Sequence, residues 1–229
     1  MNKSAQLFGI SLYQQKTLEL RPEGRRPFDA KTLFHNHGLP PTTPYLSQIP
    51  CSWGAVYFPE HWREFHDYLS WRLSESTIDI KTVVVPDVRS NKWTKSWKKY
   101  FIELSYLRGY VMLYPNYDGF VSLSTNHLEV GSHVKDRSEE NRQQFFLPLM
   151  KLPDTRDPTA IGLLDLPRRT LPDWEMLPIL NLTGSLTSME ELVDVGLRCR
   201  MGLSACSKNT STLYDVRDLA CLHDDTFLD

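Results

Sequence analysis

No hydrophobic run in the 229 residues approaches the ~20 apolar residues that a membrane-crossing helix needs. The first six residues are polar, and the apolar stretch Leu7 to Tyr13 behind them is too short for a signal peptide. The chain as it stands therefore reads as soluble. Cysteine is scarce: Cys51, Cys199, Cys206 and Cys221 include no Cys-x-x-Cys pair and no histidine spacing of a zinc site. Buried small apolar side chains are expected there, not a disulfide framework. An excess of one charge is also missing. A formal charge of −2 gives no reason to expect nucleic acid or an anionic membrane as partner. A Gly-rich phosphate loop, a Gly-x-Ser-x-Gly elbow and a His-Glu-x-x-His pair are all absent. Dinucleotide, P-loop, serine-hydrolase and zinc-protease readings lose their motif, and no internal repeat points to a solenoid.

What is present is an ordinary globular composition, 41% apolar and 24% charged, with fifteen prolines, six tryptophans and ten tyrosines. Such a length can bury a real core. The best-patterned stretch runs from Trp93 to Pro115. Trp97, Tyr100, Phe101, Leu104 and Leu107 recur at spacings of three and four, Gly109 stands where a C-terminal cap belongs, and Tyr110 to Tyr114 is a short apolar strand. A helix handing over to a buried strand is the repeating unit of a layered α/β domain. Glu103, the only carboxylate of that helix, lies near the border of its apolar stripe. It reads either as a group reaching a cleft or as an exposed glutamate paired with Lys99 or Arg108.

Ahead of this unit, residues 7–13 predict a strand, and residues 21–47 a Pro- and His-containing connection with one helical turn at 29–35. Ala55 to Phe58 predicts a short strand. Pro59 opens a helix to Glu75 with Trp62, Phe65, Leu69 and Leu73 on one face. Gly54 suggests a bend or close backbone approach, and His61 and His66 read as capping or packing residues. Lys81 to Val85, β-branched, predicts an interior strand. Behind the unit, residues 116–133 form a polar loop with His127 and His133. Ser188-x-x-Glu191 is a capping box before a helix to Arg200. The domain division expected is 1–150, then 151–229 as a Pro-rich wrap, a helix and a loosely ordered tail.

The order of these stretches resembles the acceptor-side half of a GT-A type glycosyltransferase, of a fungal or protist family of sugar transferases, over residues 7–150. Ser52-Trp-Gly-Ala-Val-Tyr-Phe58, the helix with Glu103 and the Ser124-Thr-Asn-His127 to His133 loop carry the resemblance. It implies a partial GT-A-like mixed sheet flanked by helices, with an irregular C-terminal extension. It further implies Glu103 as catalytic base, Trp53, Gly54 and Tyr57 at the acceptor, and His127 and His133 on a manganese or magnesium ion. A nucleotide sugar and a glycan would be the partners, in the Golgi or secretory pathway if an upstream anchor exists. No Asp-x-Asp motif occurs in the chain, so the donor-binding half is expected to be absent. An exposed apolar sheet face or edge, around Leu7 to Tyr13 and Val83 to Val85, would then follow. The alternative from the same residues is a non-catalytic α/β binding or scaffold domain. A glycoside hydrolase using two of Glu60, Glu64, Glu103 and Glu129 ranks behind both.

Overall fold

A computed structural model describes residues 3–74, 83–125, 146–151, 162, 165–166, 169–204 and 213–220. In chain order the strands are β1 (Leu7–Ser11), β2 (Thr17–Leu18), β3 (Arg26–Pro27), β4 (Tyr45–Ser47), β5 (Ala55–Tyr57), β6 (Val111–Tyr114), β7 (Ile179–Leu180) and β8 (Leu186–Thr187). The helices are α1 (Ala30–Asn36), α2 (Pro59–Leu73), α3 (Trp97–Arg108), α4 (Met189–Ser204) and α5 (Arg217–Ala220). Six strands form one mixed sheet in the order β5-β1-β6-β4-β7-β8, and β2 and β3 form a separate ribbon. β1 runs parallel to β6 and antiparallel to β5, while β4 runs antiparallel to β6 and parallel to β7. With its flanking helices this is an α/β fold.

Alternation along the strands, interrupted in β1 by a register shift between Leu7 and Gly9, sorts the core into two faces. Phe8, Met112 and Tyr114 point to the side where Phe65 of α2 and Phe101 of α3 stack with ring centroids 4.3 Å apart. Phe8 meets Phe101 at 5.1 Å and Tyr57 at 6.0 Å. On the other side Leu46 and Val111 join Leu177 and Leu192 in a smaller cluster. There the row Ile10, Val56 and Leu113 is less covered. Ile10 and Leu113 are half-buried, and Val56 on the edge strand is 50% exposed. Of the stretches expected to be open, Phe8, Tyr13, Val84 and Val85 are buried and Val83 is exposed.

Local chemistry explains where the helices begin and end. Asp29 caps α1 by accepting from the Lys31 amide at 3.1 Å. Pro59 takes the first position of α2, where no amide hydrogen is needed. Gly109 closes α3 in the left-handed conformation, φ 66°, and the Tyr110 amide donates to the Ser105 carbonyl at 2.9 Å. The Ser188 hydroxyl accepts from the Glu191 amide at 3.1 Å at the start of α4.

Val83 to Val85 is not a strand. Its carbonyls find other donors: the Asn91 amide gives a bond to Val85 O at 2.8 Å and the Cys199 thiol one to Val84 O at 3.0 Å. The interior sheet position is held by β4, three residues inside the stretch read as a connection.

α4 crosses α3 closely because Gly196 has no side chain. A Cβ there would stand 2.6 Å from the carbonyl oxygens of Tyr106 and Leu107. Gly196→Ala is expected to push α4 off α3 and cost about 1–3 kcal/mol, since a close-packed interior yields poorly to added volume. Chemical denaturation measures this, and an unchanged midpoint would show that the crossing can relax.

Candidate functional site

A narrow, half-open cleft lies where the chain leaves β1 and passes the segment before β5. Tyr13, Lys16, Glu19, Cys51, Trp53 and Lys98 are among its walls. Its cavity volume is about 40 Å³. One water needs roughly 10–15 Å³, so a group of a few heavy atoms enters and a whole sugar nucleotide does not.

The walls are fixed by backbone pairing. The Leu12 amide donates to Gly54 O at 2.9 Å, and Gly54, at φ 147°, makes the turn that returns the chain toward β5. Trp53 then stands edge-on to Tyr13, with centroids 5.3 Å apart. Tyr114 donates to Ile49 O at 2.9 Å, and the Tyr57 hydroxyl donates to Cys51 O.

The charged wall is one ion pair between Lys98 and Glu19, both largely buried. Lys16 lies over the Phe120 ring at 5.2 Å. Burial pushes the Cys51 thiol up, against lowering contacts with Ser11, the Trp53 backbone and Lys98, which disfavours the reactive thiolate. Burial likewise raises the Tyr13 and Tyr57 phenols, with a smaller push from Cys51.

Of the site residues expected from the sequence, Trp53 alone among those described lines the cleft. Gly54 shapes the turn beside it. Tyr57 lies beneath, its ring between Trp62 at 5.1 Å and Phe101 at 5.1 Å. His127 and His133 lie outside the described residues. Among the described residues no three His, Cys, Asp or Glu side chains gather to hold a metal ion.

Glu103 is elsewhere, at 3% exposure in the seam between α2 and α3. Its partner is neither Lys99 nor Arg108. Arg72 Nε donates to its Oε2 at 2.9 Å, Arg72 Nη2 to its Oε1 at 3.4 Å, and the Tyr68 hydroxyl to Oε2 at 3.0 Å. The same seam holds a reciprocal clamp. Glu64 of α2 accepts from Arg108 Nε at 2.7 Å and from the Tyr110 hydroxyl at 2.5 Å. Each carboxylate thus takes one arginine and one tyrosine from the opposite side, which satisfies a buried charge. Arg108 also donates to Asp215 O at 2.8 Å, tying the turn before α5 to the helices.

Sequence spacing gave no sign of Glu19 and Lys98, which are 79 positions apart. Lys98 reads from the helix pattern as a solvent-facing lysine.

His61 packs, as its position suggested. Its Nε2 lies 2.9 Å from the Ala5 carbonyl, which can only accept, so Nε2 carries the proton. Nδ1 is buried and has no partner among the described residues, and the ring stands edge-on to Tyr110 at 4.8 Å and Tyr214 at 4.9 Å. Burial lowers its pKa against the pull of the Ala5 carbonyl, Glu64 and Glu60. The folded state therefore binds that proton less readily than the unfolded chain. This contribution is complete above the ordinary histidine value of about 6.5 and is lost as the pH falls below it. Thermal unfolding between pH 7 and 5 is expected to show falling stability, with a shallower slope in His61→Gln. An equal slope in both proteins would place the loss at other groups.

Residues 30–78 match the family described as the SPBC1E8.03c C-terminal domain. The matched stretch runs from α1 through α2 and includes Trp53, Gly54, Tyr57 and Glu64. No curated protein and no solved structure matches the chain. No described helix is long and apolar enough to cross a membrane.

Proposed function

We propose that this chain is a non-catalytic α/β binding domain, in which the cleft at Trp53 takes a small polar or side-chain-sized group from a partner. What supports this best is the position of Glu103. The carboxylate that would serve as a base is clamped by Arg72 and Tyr68 between two helices and is not among the residues lining the cleft. A general base must lie within hydrogen-bond reach of the proton it takes, in position first and pKa second. Glu19, which does line the cleft, is held by Lys98. An aromatic edge beside one buried ion pair, in a cleft of this size, suits recognition of one side chain. A fragment screen by NMR is the test. Fragments are expected to shift the amides of residues 13–17 and 49–53 and to leave those of 64–72 unmoved; silence at the cleft would overturn the assignment.

A second reading, sugar transfer, draws support from Trp53 at the cleft mouth, an aromatic surface on which a sugar can stack. In that reading Glu103 is the base, Trp53, Gly54 and Tyr57 hold the acceptor, and His127 and His133 hold manganese or magnesium. Incubation with manganese and nucleotide diphospho-sugars separates the two. Release of the nucleoside diphosphate with the sugar recovered on an added hydroxyl acceptor, both lost in a stably folded Glu103→Gln variant, would establish transfer.

A further inference from the structure

The apolar face of α2 formed by Trp62, Phe65, Leu69 and Leu73 is buried along one flank only. Phe65 enters the core and Leu69 is half-buried, while Trp62 is 43% and Leu73 61% exposed. Trp62, His66, Leu69 and Leu73 follow at intervals of four, three and four, a single stripe along the helix about 16 Å long at 1.5 Å per residue. Beside its upper end stands Trp97, the first residue of α3, itself 42% exposed. Its ring centroid is 6.4 Å from that of Trp62 and 5.9 Å from that of Phe65. The two indoles stand side by side between the two helices, each with one part packed on the protein and the rest exposed.

Basic side chains outnumber acidic ones around the α2–α3 groove, where Glu60 and Asp67 are the exposed carboxylates of the two helices. Lys92 and Lys95, ahead of Trp97 in the chain, are exposed and form no ion pair among the described residues. Lys99 rests over Tyr100, 5.8 Å from its centroid. Arg63 beside Trp62 is exposed and pairs with Glu60 at 3.9 Å. The other carboxylates of the two helices are buried in the seam or, like Asp67, exposed beside His66 at 3.4 Å.

We infer that the α2–α3 groove at Trp62, Leu73 and Trp97 docks an acidic amphipathic helix of a partner protein. Apolar anchors at successive turns of such a helix would lie along the stripe, and its flanking carboxylates would meet Lys92, Lys95 and Arg63. Buried indoles beside basic side chains are the usual energetic centre of such contacts. A lipid surface is the less fitting occupant, because both rings lie against the protein, Trp62 on Tyr57 at 5.1 Å and Trp97 on Phe65 at 5.9 Å, and do not project outward as insertion anchors do. None of the groove residues lines the cleft at Trp53, so the inference is independent of the function assigned there.

The test uses the full chain and three probes. One is a synthetic amphipathic peptide of about 16 residues, roughly 24 Å of helix, with leucine along one face and glutamate on its flanks. The second is the same peptide with lysine flanks, and the third is phosphatidylcholine–phosphatidylserine vesicles. The glutamate peptide is expected to bind, shift tryptophan fluorescence, and weaken at least about tenfold in a Lys92→Glu, Lys95→Glu variant and in Leu73→Ser. All these substitutions lie at exposed positions, and circular dichroism checks the fold. Equal affinity for both peptides, binding to neither, or binding to vesicles alone would overturn the assignment. Self-association abolished by Leu73→Ser would overturn it too, in favour of a second copy.

Discussion

Arg108→Ala is expected to destabilise the protein by about 3–5 kcal/mol, the cost of leaving one member of a buried ion pair without its partner. The side chains of Arg108 and Glu64 are 1% and 0% exposed, so the Glu64 charge would have no solvent to turn to. The Tyr110 hydroxyl would still donate to it, but one neutral donor does not replace a guanidinium. The Asp215 carbonyl would lose its donor in the same change, loosening the turn before α5. Urea denaturation measures the loss of stability, and hydrogen exchange in residues 213–220 measures the loosening. Replacing Glu64 and Arg108 together with apolar residues of similar volume should be much milder, because no uncompensated charge remains.

The second large effect is expected at Glu103. Glu103→Ala leaves Arg72 and the Tyr68 hydroxyl without their shared acceptor, in a seam where Glu103 is 4% and Arg72 16% exposed by side chain. The expected loss is about 3 kcal/mol, at the low end for a buried pair because Arg72 can turn outward and lies over the Tyr100 ring. The Tyr68 phenol is raised well above its ordinary value by burial first and by Glu103 next. It therefore remains a donor throughout the accessible pH range. A catalytic carboxylate behaves otherwise: its removal abolishes activity and often leaves stability intact or improved.

The sequence disclosed the elements with strong local causes. α3 and β6 were readable because apolar spacing, the capping Gly109 and Pro115 agree with one another. α2 followed from Pro59, and α4 from Ser188 with Glu191. β4 was hidden: three residues are too few to display a period of two, and Pro-rich neighbours concealed them. Val83 to Val85 misled because β-branched side chains suit any buried, extended backbone, and here the carbonyls bond to Asn91 and Cys199.

The site was legible only at Trp53. The Glu19–Lys98 wall depends on distant segments meeting, which no local pattern encodes. Glu103 was visible as an unusual residue on the border of an apolar stripe. Its partner Arg72 belongs to another helix, and helix periodicity speaks only of neighbours on the same one.

The most direct test of Glu103 as a structural clamp is a double-mutant cycle in urea with Glu103→Gln, Arg72→Met and the two combined. A coupling of about 1–3 kcal/mol is expected, with each single change destabilising and the double change costing less than their sum. Additive effects, with Glu103→Gln as stable as the parent, would contradict the clamp and return Glu103 to consideration as a catalytic group.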